Sequence, residues 1–110
     1  MKNFKIKGEQ IIKLVPNMGF CFATDHITVE GMKVGYMYRE EPDDAVDSGW
    51  RFFSGTEDQE YADNRDNWQI YDVNTIANYD QAIIPYLSSA EGAELERNED
   101  DTFSNCLTED

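Results

Sequence analysis

The chain has 110 residues, 40% of them hydrophobic and 13% aromatic, and carries a net charge of -14 at neutral pH. So much acid argues against nucleic acid, whose affinity rests on Lys and Arg neutralising phosphates, and against anionic membrane surfaces. The aromatic content, with Trp50, Trp68, six Tyr and six Phe, sets the chain apart from acidic disordered sequences and predicts one folded domain over residues 1–110.

The first nine residues lack the apolar stretch of a signal peptide, and no run approaches the roughly 20 apolar residues of a membrane span, so a cytoplasmic protein is expected. Between Lys7 and Val15 the apolar residues Ile11, Ile12, Leu14 and Val15 predict a short helix stopped by Pro16. From Phe20 the pattern turns to period two. Phe20, Phe22 and Thr24 share one face, Ile27 and Val29 continue, and Val34, Tyr36 and Tyr38 follow the Glu30-Gly31 turn, so strands are predicted here, the last two as a hairpin.

Charge divides the chain at this point. Met1 to Arg39 holds six Lys or Arg against three acids, whereas Glu40 to Asp110 holds three Arg against twenty acids. Self-repulsion on that scale costs stability, which points to a role in solubility or in binding a basic partner. Glu40 to Gly49, rich in turn formers and carrying five carboxylates, is predicted to be an exposed loop. A strand follows from Trp50 to Ser54 and ends at Gly55. Thr56 with Gln59 predicts a capping box opening a short helix, with Glu57, Asp58 and Glu60 suited to its N-terminus.

Asp63-Asn64 and Asp66-Asn67 read as turns, Gln69 to Val73 as a strand, Asn74 to Asn78 as a helix, and the stretch before Pro85 as another. Glu94 to Arg97 and Thr102 to Cys106 flank a polar stretch and predict a final hairpin, with fraying at the last residues. The sum is an α+β class fold, a mainly antiparallel twisted sheet with a few short helices. Trp50 and Tyr36 are assigned to the core, and Gly35 and Gly49 to close approach or a turn.

Catalytic constellations are sparse. His26 is the only histidine, which removes the common zinc-hydrolase geometries. Cys21 with His26 and Asp25 could pair as nucleophile, base and orienter, but Gly-Phe-Cys-Phe-Ala reads as a strand with a buried structural thiol. Cys21 and Cys106 are both read as reduced, their spacing making neither a disulfide framework nor a zinc site. Phe53-Ser54-Gly55 lacks the first glycine of a nucleophile elbow, and no Gly-rich phosphate loop is present. Carboxylate pairs such as Glu40 with Glu41 and Asp43 with Asp44 read as a solvated loop, and no stretch has the Asp-x-Asp-x-Asp-Gly spacing of a calcium loop. No enzyme, cofactor or metal is expected.

Three strings stand out: Val34-Gly35-Tyr36-Met37-Tyr38-Arg39-Glu40, Ser48-Gly49-Trp50-Arg51-Phe52 and Asn74-Thr75-Ile76-Ala77-Asn78-Tyr79-Asp80. In this order they resemble immunity protein family thirty-three, small acidic bacterial proteins, over about residues 21–97. The resemblance implies a toxin-neutralising binding protein, and an acidic inhibitor suits the basic cleft of a nuclease toxin. On that reading the partner is a basic protein, and the candidate contacts are Glu40, Glu41, Asp43, Asp44 and Asp47 in one loop and Glu57, Asp58, Glu60, Tyr61, Asp63, Asp66 and Trp68 in a second patch. For Asn74, Asn78 and Asp80, turn and capping roles come first and polar recognition second. The alternative is a stand-alone housekeeping or regulatory module.

Overall fold

The computed structural model describes residues 3–42 and 44–106. Its framework is a six-stranded sheet formed by β1 (Phe20–Thr24), β2 (Tyr36–Arg39), β3 (Asp47–Phe53), β4 (Trp68–Asp72), β5 (Glu94–Arg97) and β6 (Phe103–Asn105). The order across the sheet is β4-β1-β3-β2-β5-β6. Neighbouring strands are antiparallel except β1 and β3, which run parallel. The helices are short: α1 (Asp25–Thr28), α2 (Gln59–Asp63) and α3 (Val73–Tyr79), with single 3-10 stretches at Gly8–Gln10, Arg65–Asn67 and Gln81–Tyr86.

Alternation assigns the two faces of the sheet. Cys21, Ala23, Met37, Trp50, Phe52, Leu95 and Phe103 point inward and join Ile27, Val34, Val73, Ile76, Ala77, Ile83 and Leu87 in one apolar core. Trp50 is fully buried, donates its indole N–H to the Leu87 carbonyl at 3.1 Å and stacks on Phe52. Burying a large ring with its polar edge satisfied is the arrangement a core tryptophan requires.

α3 is cut to fit this core. Val73, Ile76 and Ala77 fall at helical spacing on its buried side, while Asp72 caps it by accepting the Asn74 N–H at 3.0 Å. At the other end Asp80 leaves helical geometry and accepts from Val34 N–H, from Ala82 N–H and from the Arg97 guanidinium at 2.6 Å. Burial opposes charge on Arg97, but its hydrogen bonds to Asp80 and Asp101 outweigh that and hold it protonated.

Several expectations are corrected. Ile27 and Val29 are not strand residues: Ile27 and Thr28, adjacent in sequence, are both fully buried, which a helix turn allows and a half-covered strand does not. The hairpin across Glu30-Gly31 therefore does not form. The N-terminal helix shrinks to the 3-10 turn at Gly8–Gln10 because the backbone of 12–15 bonds elsewhere. Asn74 Oδ1 accepts from Leu14 and Val15 at 2.7 and 3.1 Å, and Asn78 Oδ1 accepts from Ile12 at 3.1 Å. Both asparagine amides donate in return to the Ile12 carbonyl. Asn74 and Asn78 thus strap residues 12–15 to α3. The cap of α2 is Asp58, accepting from Tyr61 N–H at 2.8 Å, and not Thr56.

The loop after Tyr38 is shorter than expected, since β3 begins at Asp47 and Asp47, Ser48 and Gly49 are buried. Gly49 has φ +86°, and a Cβ there would lie 2.3 Å from the Glu40 carbonyl oxygen. A Cβ on Gly35 would meet the Ser54 carbonyl oxygen at 2.1 Å, so both glycines serve close backbone approach. Fraying at the C-terminus concerns 107–110, outside the described residues.

Candidate functional site

The second face of the sheet lies opposite the apolar core, and α2 reaches it where Trp68 Nε1 donates to the Ala62 carbonyl at 2.8 Å. Register places Ile70, Phe22, Arg51, Tyr38 and Glu94 in one row across five strands. The next row brings Trp68 opposite Thr24, and Phe53 opposite Tyr36, which in turn faces Glu96. Aromatic contacts knit the rows together: Phe53 meets Trp68 edge-on at 4.9 Å, and Tyr36, Tyr38 and Phe53 lie within 5.9 Å of one another. Tyr36 is held neutral, its pKa pushed up to about 12 by burial and by Glu94, and burial and Glu40 raise Tyr38 too.

Arg51 is the cation at the centre of this face. It is 4% exposed, packs over the Phe22 ring at 4.6 Å, and reaches Asp47 through both terminal nitrogens at 3.0 and 2.9 Å and Glu40 through Nε at 2.6 Å. Burial disfavours its charge, yet the hydrogen bonds it donates to Asp47 and Glu40 more than compensate and raise its pKa. A groove of about 640 Å³ opens beside it, lined by Phe22, Arg51, Trp68 and Ile70 of the sheet together with Glu40, Ala62 and Arg65.

The two expected patches therefore meet. Glu40 belongs to the first and Trp68 to the second, and both line one groove although 28 positions separate them. Glu41 and Asp44 lie exposed beyond Glu40, and Asp58, Glu60, Asp63 and Asp66 are exposed on the segment carrying Ala62 and Arg65. Asp43 lies outside the described residues. Two expected surface acids prove internal. Asp47 is 5% exposed and committed to Arg51, and the Glu57 side chain is 2% exposed.

Glu57 organises a small polar knot. Its Oε2 accepts from Thr24 Oγ1 at 2.5 Å and from Ser54 N–H and Oγ at 2.8 and 3.0 Å, and it lies 3.5 Å from His26 Nδ1. Burial pushes its pKa up, but these hydrogen bonds prevail and the carboxyl ends below its ordinary value. Tyr61 is half-buried rather than a free anchor, its ring 4.2 Å from that of His26, and burial together with Asp25 pushes its pKa up to about 12.

Ser54, His26 and Glu57 do not form a catalytic triad. A triad needs the serine on one imidazole nitrogen and the carboxylate on the other. Here Ser54 at 3.3 Å, Thr56 at 3.0 Å and Glu57 at 3.5 Å all face Nδ1, and Nε2 lies 4.0 Å from Glu30. Cys21 is buried on the inner face, and burial, with Asp72 adding to it, raises its pKa well above the ordinary thiol value, the reverse of an activated nucleophile. Among the described residues no group of three or more His, Cys, Asp or Glu is placed to hold a metal ion.

Sequence reasoning missed Phe22, Ile70 and Tyr38 as surface residues. A signal was present: Phe20 and Phe22 on one side of β1 and Cys21 and Ala23 on the other make both faces apolar, while Gln69 and Ile70 are exposed on β4.

The family model described as Immunity protein Imm33 domain matches residues 21–106. The match runs past Arg97 to take in β6, and leaves out the strapped segment before β1. No curated protein and no solved structure matches the chain.

Proposed function

Because this chain belongs to the Imm33 immunity protein family, we propose that it neutralises a bacterial toxin by binding it without turnover and occluding a basic site on it. The carrying observation is that Glu40 lines the groove and that further exposed acids lie on the segments that supply its lining, Glu41 and Asp44 just beyond Glu40 and Glu60, Asp63 and Asp66 around Ala62 and Arg65. Carboxylates distributed in this way mimic a phosphate backbone, steer a basic cleft into encounter and complement it on contact. A net charge of -14 favours a basic protein over nucleic acid or an anionic membrane. The reading places the chain in the cytoplasm, where a nuclease toxin meets its substrate.

Co-expression with toxin domains cloned from the same genome provides the test. One toxin should lose its growth inhibition when this chain is present, and its purified complex should weaken as salt rises. Toxicity unchanged across all of them would sink the proposal.

A further inference from the structure

We infer that the energetic centre of the interface is the apolar floor of the open sheet face, around Ile70, Phe22 and Val46, and that its occupant is a segment of a basic protein presenting an apolar side chain between lysines or arginines. The inference rests on the toxin-binding reading and assigns it a surface. Among the described residues the most exposed large hydrophobics are Ile12, Val46 and Ile70, at 60%, 59% and 53%. Ile12 stands alone on the strapped segment. Val46 and Ile70 instead line one depression with Phe20 and Asp72, and Ile70 also lines the groove with Phe22 and Trp68. Ile70 therefore joins two hollows into one continuous apolar strip, and clustered apolar exposure of this kind marks an interaction surface where single exposed residues do not.

Charge selects the occupant. The one buried cation of the face, Arg51, is shared by two carboxylates, Asp47 and Glu40, so the pair of acids outweighs it. Among the described residues Arg65 is the only other cation lining either hollow, against Glu40 and Asp72 there and Glu41, Asp44, Glu60, Asp63 and Asp66 on the adjoining segments. A second copy of the chain would press two such rims together, and an anionic lipid surface meets the same repulsion. A basic protein with an apolar centre meets neither. Apolar centre and charged rim match the general anatomy of an interface in which a few central side chains carry most of the affinity.

Three single variants test this against the toxin domain recovered by the rescue assay: Ile70→Glu, Val46→Glu and Ile12→Glu. Each adds one negative charge at an exposed apolar position, so long-range electrostatics change equally and the fold is not threatened. Ile70→Glu and Val46→Glu should each weaken the complex about 30-fold or more, with the loss persisting at high salt, while Ile12→Glu stays within about 3-fold. Wild-type binding with Ile70→Glu and Val46→Glu indistinguishable from Ile12→Glu overturns the surface and leaves the toxin reading standing. A wild-type chain that protects against no toxin and binds none removes both.

Discussion

Asp47 and Arg51 are paired side by side within a single strand, Oδ1 to Nη1 at 3.0 Å and Oδ2 to Nη2 at 2.9 Å. In a regular strand residues four apart are separated by about 13 Å, too far for this contact. The pairing of β1 with β3 shows how the gap closes: Phe20 faces Asp47 and Phe22 faces Arg51, so an advance of two positions along β1 matches one of four along β3. Gly49, at φ +86°, lies in the extra length, and its N–H donates to Asp47 Oδ1 at 2.9 Å. The bulge folds the strand until carboxylate and guanidinium meet.

Asp47→Asn should therefore destabilise the protein by about 2–4 kcal/mol in urea titration, because it leaves a buried guanidinium with only the half-exposed Glu40 as counter-ion. Glu41→Gln, on the exposed part of the same loop, should stay within about 0.5 kcal/mol. Equal effects would mean that the pair contributes no more than a surface charge.

Glu57→Gln tests the polar knot through pH. The folded carboxyl titrates below its ordinary value of 4.5, so its contribution is fully present above that pH and is lost as pH falls through the lower folded value. The stability gap between wild type and Glu57→Gln should close in acid, as pH falls below the ordinary value through the lower folded one. A gap that persisted unchanged below pH 3 would contradict the network around Thr24 and Ser54.

Asn74→Ala removes the acceptor of two backbone N–H groups and should cost about 1–2 kcal/mol. Amide exchange at Leu14 and Val15 should accelerate strongly, while exchange in β1 and β3 stays slow. Uniform acceleration across the sheet would show that the strap and the core open together.

On the proposed function, reversing Glu41, Asp44 and Glu60 to Lys should slow association with a toxin that the chain protects against about tenfold or more at low salt, with the difference shrinking at high salt as screening sets in. All three are exposed, so stability should hold. Stopped-flow rates unchanged by the reversal would take these acids out of the encounter.

Local pattern carried much of the architecture. The alternation Phe20 to Thr24 and the run Trp50 to Phe53 each identify a strand because side-chain periodicity is a property of neighbouring residues, whereas Val73, read as the end of a strand, proves to open α3. The three strings around Tyr36, Trp50 and Ile76 were enough to point to the family. Where periodicity was ambiguous, tertiary contact decided. Ile27 and Thr28 became helix because both are covered, and residues 12–15 stayed extended because Asn74 and Asn78, some sixty positions away, took their N–H groups.

The fate of each carboxylate was equally beyond local reading. Asp44 and Asp47 look alike in sequence, yet one faces solvent and the other is buried against Arg51, because a bulge and a cross-strand neighbour set its surroundings. The groove itself has no sequence address: Glu40, Phe22, Arg65 and Ile70 come together only through the order β4-β1-β3-β2. Composition determined the sign of the surface, because charge sums along the chain whatever its fold. Strand order and register decided which of those charges border an apolar floor, because pairing brings together residues that no local pattern relates.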